Sequence, residues 1–228
     1  MVVDHSTHRH KRQNSMHSTR PLHLGILGAG RIGSTLARHW VRAGHTVVLG
    51  SRSPERLTDL VGELGPRASA DTAPRAARHS DVVVLAVPHT ALAATLDAVG
   101  TALDGKVVVD TTNPVTFSPD GRIVSTLPEG RTAGEATAAL LPRSRVVRAF
   151  THVMYELLAS RGLAQPLLWA MTIAGDDADA KRTVADLVRD TGFTPVDIGS
   201  LAESAPLDPG GALFPQTSTA ADLLARIA

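Results

Sequence analysis

The sequence predicts an α/β fold: a doubly wound, mostly parallel sheet with helices on both faces, followed by a small C-terminal α/β segment. Three observations carry this. Strand-like and helix-like periods alternate from residue 23 onward, the order that a parallel sheet with crossover helices requires. The run Asp81–Val87 (DVVVLAV) shows no polar–apolar alternation, as expected of a strand covered on both faces. Gly28, Gly30 and Gly33 stand between the first strand-like run and the first helical one.

The elements follow in order. His23–Ala29 (HLGILGA) is an apolar run entering a glycine turn, hence the first strand. Over Arg31–Ala43, Ile32, Leu36, Trp40 and Val41 fall at helical spacing, and Gly44 closes the helix. His45–Gly50 (HTVVLG) is the second strand. Pro54 opens a helix whose apolar face is Leu57, Leu60, Val61 and Leu64, and Gly65-Pro66 ends it. A weak strand at Ala68–Ala70 and a short helix through Arg75 and Arg78 precede the buried run at Asp81–Val87. A helix over Ala91–Ala102 and a strand over Lys106–Asp110 come next, broken by Asn113-Pro114. Residues 116–131 read as a loop with a turn at Pro119, Asp120 and Gly121. Gly134–Leu141 is helical, Pro142 stops it, and Arg145–Phe150 (RVVRAF) is a further strand. Beyond it lie a short helix (Met154–Ala159), a strand (Leu167–Ile173), a helix (Asp177–Asp190) and a strand (Phe193–Ile198). A Pro/Gly-rich stretch, Pro206–Pro215, leads to a last helix at Ser218–Ile227. The expected organisation is a disordered tail over 1–20, a main unit over 21–153 and a smaller segment over 154–228 packed on it, where Phe214, Leu223, Leu224 and Ile227 would cover the body or a second copy.

Composition narrows the function classes. Of 228 residues, 43% are hydrophobic and 20% charged, which excludes a wholly disordered chain. With no cysteine, thiol catalysis, thiolate metal sites and disulfides are excluded. The basic residues Arg9, Lys11, Arg12 and Arg20 concentrate in the tail, so the body is weakly acidic and no nucleic-acid partner is expected. Met16 is a second candidate start. The tail lacks a signal-peptide apolar core and no eighteen-residue apolar run follows, so the expectation is a cytoplasmic protein with no membrane partner.

The strongest motif is Gly28-Ala29-Gly30-Arg31-Ile32-Gly33. A bare G-x-G-x-x-G says little; after a strand and opening a helix, it is a phosphate loop. Gly28 would make the tight turn, Gly30 would admit a pyrophosphate, and Gly33 would let helix and strand close. The amides of the helix's first turn would face the phosphates. The unit is therefore expected to be a Rossmann domain. At the end of the second strand an NAD site places a carboxylate for the ribose hydroxyls. Here the residues are Gly50-Ser51-Arg52-Ser53. Ser51 can donate to a 2′-phosphate, Arg52 can pair with it through its planar fork, and Arg56 lies one helical turn on. This selects NADP(H). Two further loops, Val87-Pro88-His89 and Asn113-Pro114, fall at the carboxyl ends of neighbouring strands, where the nicotinamide half would lie.

Residues for acid–base chemistry are sparse. No Ser-x-x-x-Lys or Tyr-x-x-x-Lys pair is present; Lys106 and Lys181 are the body's two lysines, and Tyr155 is the sole tyrosine. Asp110, Asp197 and Asp208 show no paired spacing, and the histidines form no metal-ligand pattern, so no metal is expected. His152, after Phe150-Thr151, is the best single candidate for a proton donor or substrate contact. Hydride transfer between two rings needs alignment and exclusion of water more than acid–base help.

On these residues the chain resembles the F420-dependent NADP oxidoreductase family. The markers are LGILGAGRIGSTLARHWVRAGH, VVLGSRSPE, DVVVLAVP, VVVDTTNP, RVVRAF and IAGDDADAKRTVADLVRDTGFTPVDIGSL. The resemblance implies a Rossmann domain, a smaller C-terminal segment, homodimers, and hydride transfer between NADP(H) and an acceptor such as coenzyme F420 or a related flavin-like ring. It implies that Gly50-Ser51-Arg52 is the 2′-phosphate clamp. Where many relatives carry Asn-Thr after Ala-Phe, this chain has Thr151-His152. The likeness extends to pyrroline-5-carboxylate reductases and ferric-reductase-like domains. Two alternatives to ring-to-ring transfer stay open: a non-catalytic NADP(H)-binding or redox-sensing protein, and an NADPH-dependent reductase of a small imine or carbonyl.

Overall fold

A computed structural model describes residues 20–127, 130–161 and 169–227. The predicted tail lies, Arg20 apart, outside the described residues, as do the first two residues of the predicted strand at Leu167 and two residues of the 116–131 loop. The strands are β1 (His23–Leu27), β2 (Thr46–Ser51), β3 (Ala68–Thr72), β4 (Val82–Leu85), β5 (Val107–Asp110), β6 (Val115–Phe117), β7 (Ile123–Ser125), β8 (Arg145–Ala149), β9 (Ala170–Gly175) and β10 (Thr194–Asp197). The helices are α1 (Arg31–Ala43), α2 (Thr58–Leu64), α3 (Ala73–Arg78), α4 (Leu92–Val99), α5 (Ala133–Leu140), α6 (Tyr155–Arg161), α7 (Ala178–Asp190) and α8 (Ala220–Ile227).

Eight strands form one sheet in the order β10-β9-β8-β5-β4-β1-β2-β3. From β3 to β8 every neighbour is parallel. The order 3-2-1-4-5 and its next strand is that of a dinucleotide-binding sheet, with the reversal between β1 and β4. β9 then runs antiparallel to β8, and β10 parallel to β9. The segment after residue 154 thus supplies the last two strands of the same sheet.

The core lies on both faces. On one, Leu36 and Trp40 of α1 meet Val184 and Leu187 of α7 over Ile26, Val84, Val109 and Val147. On the other, Ala76, Leu92 and Leu96 cover Leu85, Val108 and Val146. Trp40 is fully buried, and its indole N–H donates to the Leu187 carbonyl at 2.9 Å, satisfying its polar atom. A third cluster joins Leu207, Leu213 and Leu223 to Ala170 and Val196, so α8 packs on the last strands through Leu223 while Leu224 stays exposed. α1 has the predicted bounds, and Gly44 ends it at φ 102°. The segment at 116–131 differs from expectation: β6 and β7 pair as a small antiparallel hairpin. Its turn falls at the predicted Pro119-Asp120-Gly121, with Gly121 donating to the Ser118 carbonyl at 2.8 Å. The β-branched residues flanking that turn were the signal for a hairpin.

Candidate functional site

A cleft of about 390 Å³ opens at the carboxyl edge of the sheet, across the β1/β4 reversal. Its walls come from the ends of β1 (Leu27–Gly30), β2 (Gly50–Arg52) and β4 (Ala86–Pro88), closed by Ala91, Ala94, Thr95 and Ala98. No carboxylate is among the lining residues.

The three motif glycines have separate physical reasons. Gly28 takes φ 103°, and a Cβ there would stand 2.5 Å from the Ala86 carbonyl oxygen. A Cβ on Gly33 would stand 2.0 Å from the Gly28 carbonyl oxygen, so α1 approaches the turn only because that position is bare. Around Gly30, by contrast, a Cβ would meet nothing within 4 Å. Among the described residues no neighbour needs that glycine; the space is open to the cleft, which fits a ligand's close approach. Gly30 caps α1 without a side chain, and the first turn carries no acidic residue. α5 and α7 are capped instead by Thr132 and Asp177. The amino end of α1 therefore presents backbone amides and positive dipole to the cleft.

Ser51 is half-buried, and its Oγ accepts from the Ser53 amide at 3.1 Å. Arg52 is exposed at the cleft's lip. Arg56 sits in the 3-10 turn Pro54–Leu57, exposed and outside the lining. Arg31 opens α1, and its guanidinium lies 4.7 Å from the centroid of the Tyr155 ring. Ile32 turns inward and packs against the main core. Of the predicted residues, the structure gathers Gly28, Ala29, Gly30, Ser51, Arg52, Val87 and Pro88 around the cleft. His89, Asn113, Pro114 and His152 lie outside its lining.

β4, β5 and β8 lie side by side, so the loops after them continue the same edge away from Arg52. There a polar network holds the backbone. Arg148 of β8 is fully buried, and its Nη1 donates at 3.0 Å both to Asp110 Oδ2 and to the Thr112 carbonyl. Its Nη2 reaches Asp208 Oδ1 at 3.1 Å and Asn113 Oδ1 at 3.4 Å. Asp110 also accepts from the Thr112 amide and the Thr137 hydroxyl, both at 2.8 Å. Asn113 Nδ2 donates to the Thr151 carbonyl at 2.8 Å. Burial pushes the Asp208 carboxyl up, against the pull of Arg148. The sequence shows Asp110 and Asp208 without a paired spacing and does not single out Arg148; their partnership exists only in the folded sheet.

Phe150 breaks the alternation of β8. It adopts φ 60° and joins Val147 and Ala149 on the α1 face, packing edge-on against Trp40 at a ring separation of 5.9 Å. His152 follows. The sequence puts this imidazole at an open substrate edge, but the antiparallel β9 alongside closes it in. It is 1% exposed, with Nδ1 in a hydrogen bond of 3.0 Å to Thr172 Oγ1. Burial lowers its pKa to about 4, with the Ala170 backbone opposing. In this conformation it is a neutral, sealed group and not a proton donor at an open site. His89 is half-buried, its Nδ1 3.5 Å from Thr112 Oγ1. Desolvation lowers its pKa; Asp110 raises it and Arg148 lowers it further. Among the described residues no group of three or more His, Cys, Asp or Glu could hold a metal ion. No described helix is long and apolar enough to cross a membrane.

Residues 23–114 match the family described as NADP oxidoreductase, coenzyme F420-dependent. An F420-dependent NADP reductase from Methanothermobacter thermautotrophicus is 31% identical over 172 residues, 71% of this chain and 73% of that protein. The metalloreductase STEAP3 of Rattus norvegicus is 33% identical over 184 residues, 79% of this chain but 34% of the relative, so the chain spans about a third of its length. A solved structure from Sinorhizobium meliloti, 31% identical, superposes with a TM-score of 0.77 over 87% of this chain and 95% of that one.

Proposed function

The chain belongs to the family of F420-dependent NADP reductases, and from that premise we propose that it is an NADP-linked oxidoreductase passing a hydride to or from a ring acceptor of the F420 or flavin type. The observation that carries this is the cleft itself: bare glycine backbone and a helix amino end at one wall, Ser51 and Arg52 at the other, and no carboxylate between. When bound, the cofactor supplies the transferable hydride. Gly28, Ala29 and Gly30, with the first amides of α1 through Arg31, Ile32 and Gly33, would hold its pyrophosphate. Ser51 and Arg52 would hold the 2′-phosphate, with Arg56 as an outer charge. Val87, Pro88 and His89 after β4, and Asn113 and Pro114 after β5, would border the nicotinamide half and exclude water from one face.

The acceptor class follows from the scarcity of proton donors. With His152 sealed and the pKa of His89 lowered by desolvation, neither of the two histidines predicted for the hydride half is placed as a ready acid for a carbonyl or imine. A ring that takes up the hydride and draws its proton from solvent needs none. The reading includes a small-molecule substrate, a cytoplasmic location, a homodimer, and no nucleic-acid or membrane partner; light scattering decides the dimer.

Two measurements test the reading. Arg52→Ala is expected to weaken NADPH binding by roughly 1–3 kcal/mol and leave NADH nearly untouched. Equal losses would remove the 2′-phosphate assignment. Oxidised F420, a flavin and a small cyclic imine, each mixed with protein and NADPH, are expected to consume the nicotinamide absorbance with the rings and not with the imine. No turnover with any would favour a binding or sensing protein.

A further inference from the structure

Resting on that reading, we propose that Arg148 is the positioning residue of the hydride-transfer half, fixing the Thr111–Pro114 loop from beneath and tying it to the C-terminal segment through Asp208. The guanidinium is buried where only a dedicated set of acceptors would keep it. It has four: the Asp110 and Asp208 carboxylates, the Thr112 carbonyl and the Asn113 side chain. Two of these are in the loop that follows β5 at the sheet's carboxyl edge. Asn113 carries the restraint on to the Thr151 carbonyl, just past the left-handed Phe150. Asp208 accepts from the Ala133 amide at 3.0 Å with its other oxygen, which anchors the amino end of α5 to the same charge.

The surroundings are shaped for this group. A Cβ on Gly134 would stand 2.9 Å from Arg148 Cδ, so α5 closes over the side chain only because that position is glycine. Phe150 packs against Trp40 on the opposite face of the sheet, away from Arg148. A hydride donor displaced by about 1 Å loses on the order of a hundredfold in rate. A planar fork bound at several points holds a loop to that tolerance better than an ammonium on a flexible stem.

The test separates the two halves of the cofactor. Adenosine 2′,5′-bisphosphate occupies the adenosine half alone; NADPH occupies both. In Arg148→Lys the bisphosphate is expected to bind as in the wild type, while the affinity ratio of NADPH to bisphosphate falls at least about fivefold, and the fluorescence of bound NADPH shifts toward that of free NADPH. Asp208→Asn, isosteric and still paired through Asp110, is expected to move both readouts the same way by less, and it answers the question if the lysine variant does not fold. An unchanged ratio and spectrum in a folded variant, or equal losses for both ligands, would overturn the role of Arg148 while leaving the cofactor reading intact. Failure of the wild-type protein to bind the bisphosphate would instead remove that reading, and this one with it.

Discussion

The two halves of the carboxyl edge are built on different principles. The half proposed for the adenosine end is made of backbone: three glycines and a helix end, all within six consecutive residues, with Ser51 and Arg52 delivered by the adjacent strand. The half proposed for hydride transfer is made of side chains drawn from distant parts of the chain. Arg148 is separated from Asp110 by 38 positions and from Asp208 by 60. A backbone site is specified by what is absent, since any Cβ spoils it. A side-chain site is specified by who is opposite, and the fold alone decides that.

The sharpest way to break the comparison is within the glycine loop. Gly33→Ala forces a methyl against the Gly28 carbonyl oxygen, which stands 2.0 Å from the ideal Cβ position. Backbone must move, and a loss of about 3 kcal/mol in stability is expected with cofactor affinity lost alongside it. Chemical denaturation checks the first and titration the second. Wild-type stability in this variant would mean that α1 does not need its close approach. Gly30→Val is the opposite case. Its Cβ has open space, and the backbone (φ −72°, ψ −165°) is extended with a negative φ, so no left-handed strain arises. Stability should fall by no more than about 1 kcal/mol, the cost of an apolar residue at the helix N-cap and well short of the loss at Gly33. NADPH affinity should fall about a hundredfold, roughly 2.7 kcal/mol, as the side chain fills the approach to the phosphates. If both variants lost stability and affinity together, the distinction between a packing glycine and a ligand glycine would fail.

This contrast also explains what was legible. The glycine loop, the bounds of α1, the apolar strands and the missing carboxylate after β2 are local facts, fixed by spacing and residue type, and the structure places each where the sequence put it. The Asp110–Arg148–Asp208 group was not legible, because charge in a sequence carries no address. The surroundings of His152 were not legible for the same reason. Its position after β8 pointed to an open edge, but β9 returns antiparallel beside it and sets Thr172 against the ring. Nothing near residue 152 announces the direction in which a strand twenty residues later will run.

The burial of His152 has a consequence in solution that distinguishes a sealed imidazole from a working acid. Its pKa in the folded protein is about 4, against an ordinary 6.5, so the folded state binds the proton less readily than the unfolded chain. The contribution of the neutral ring to stability is therefore complete above pH 6.5 and is lost as pH falls toward 4, by at most about 1.4 kcal/mol per unit. His39, buried against the Leu158 carbonyl at 2.8 Å and also lowered mainly by desolvation, acts in the same direction. His152→Gln keeps a partner for Thr172 and cannot titrate in this range. Denaturation midpoints measured stepwise from pH 7 to pH 4.5 should fall less steeply for this variant than for the wild type, with His39 accounting for part of the slope that remains. Parallel slopes would show that the ring takes up its proton in the folded protein, and an open imidazole beside the hydride half would then return as a proton donor, with an imine or carbonyl as its natural acceptor.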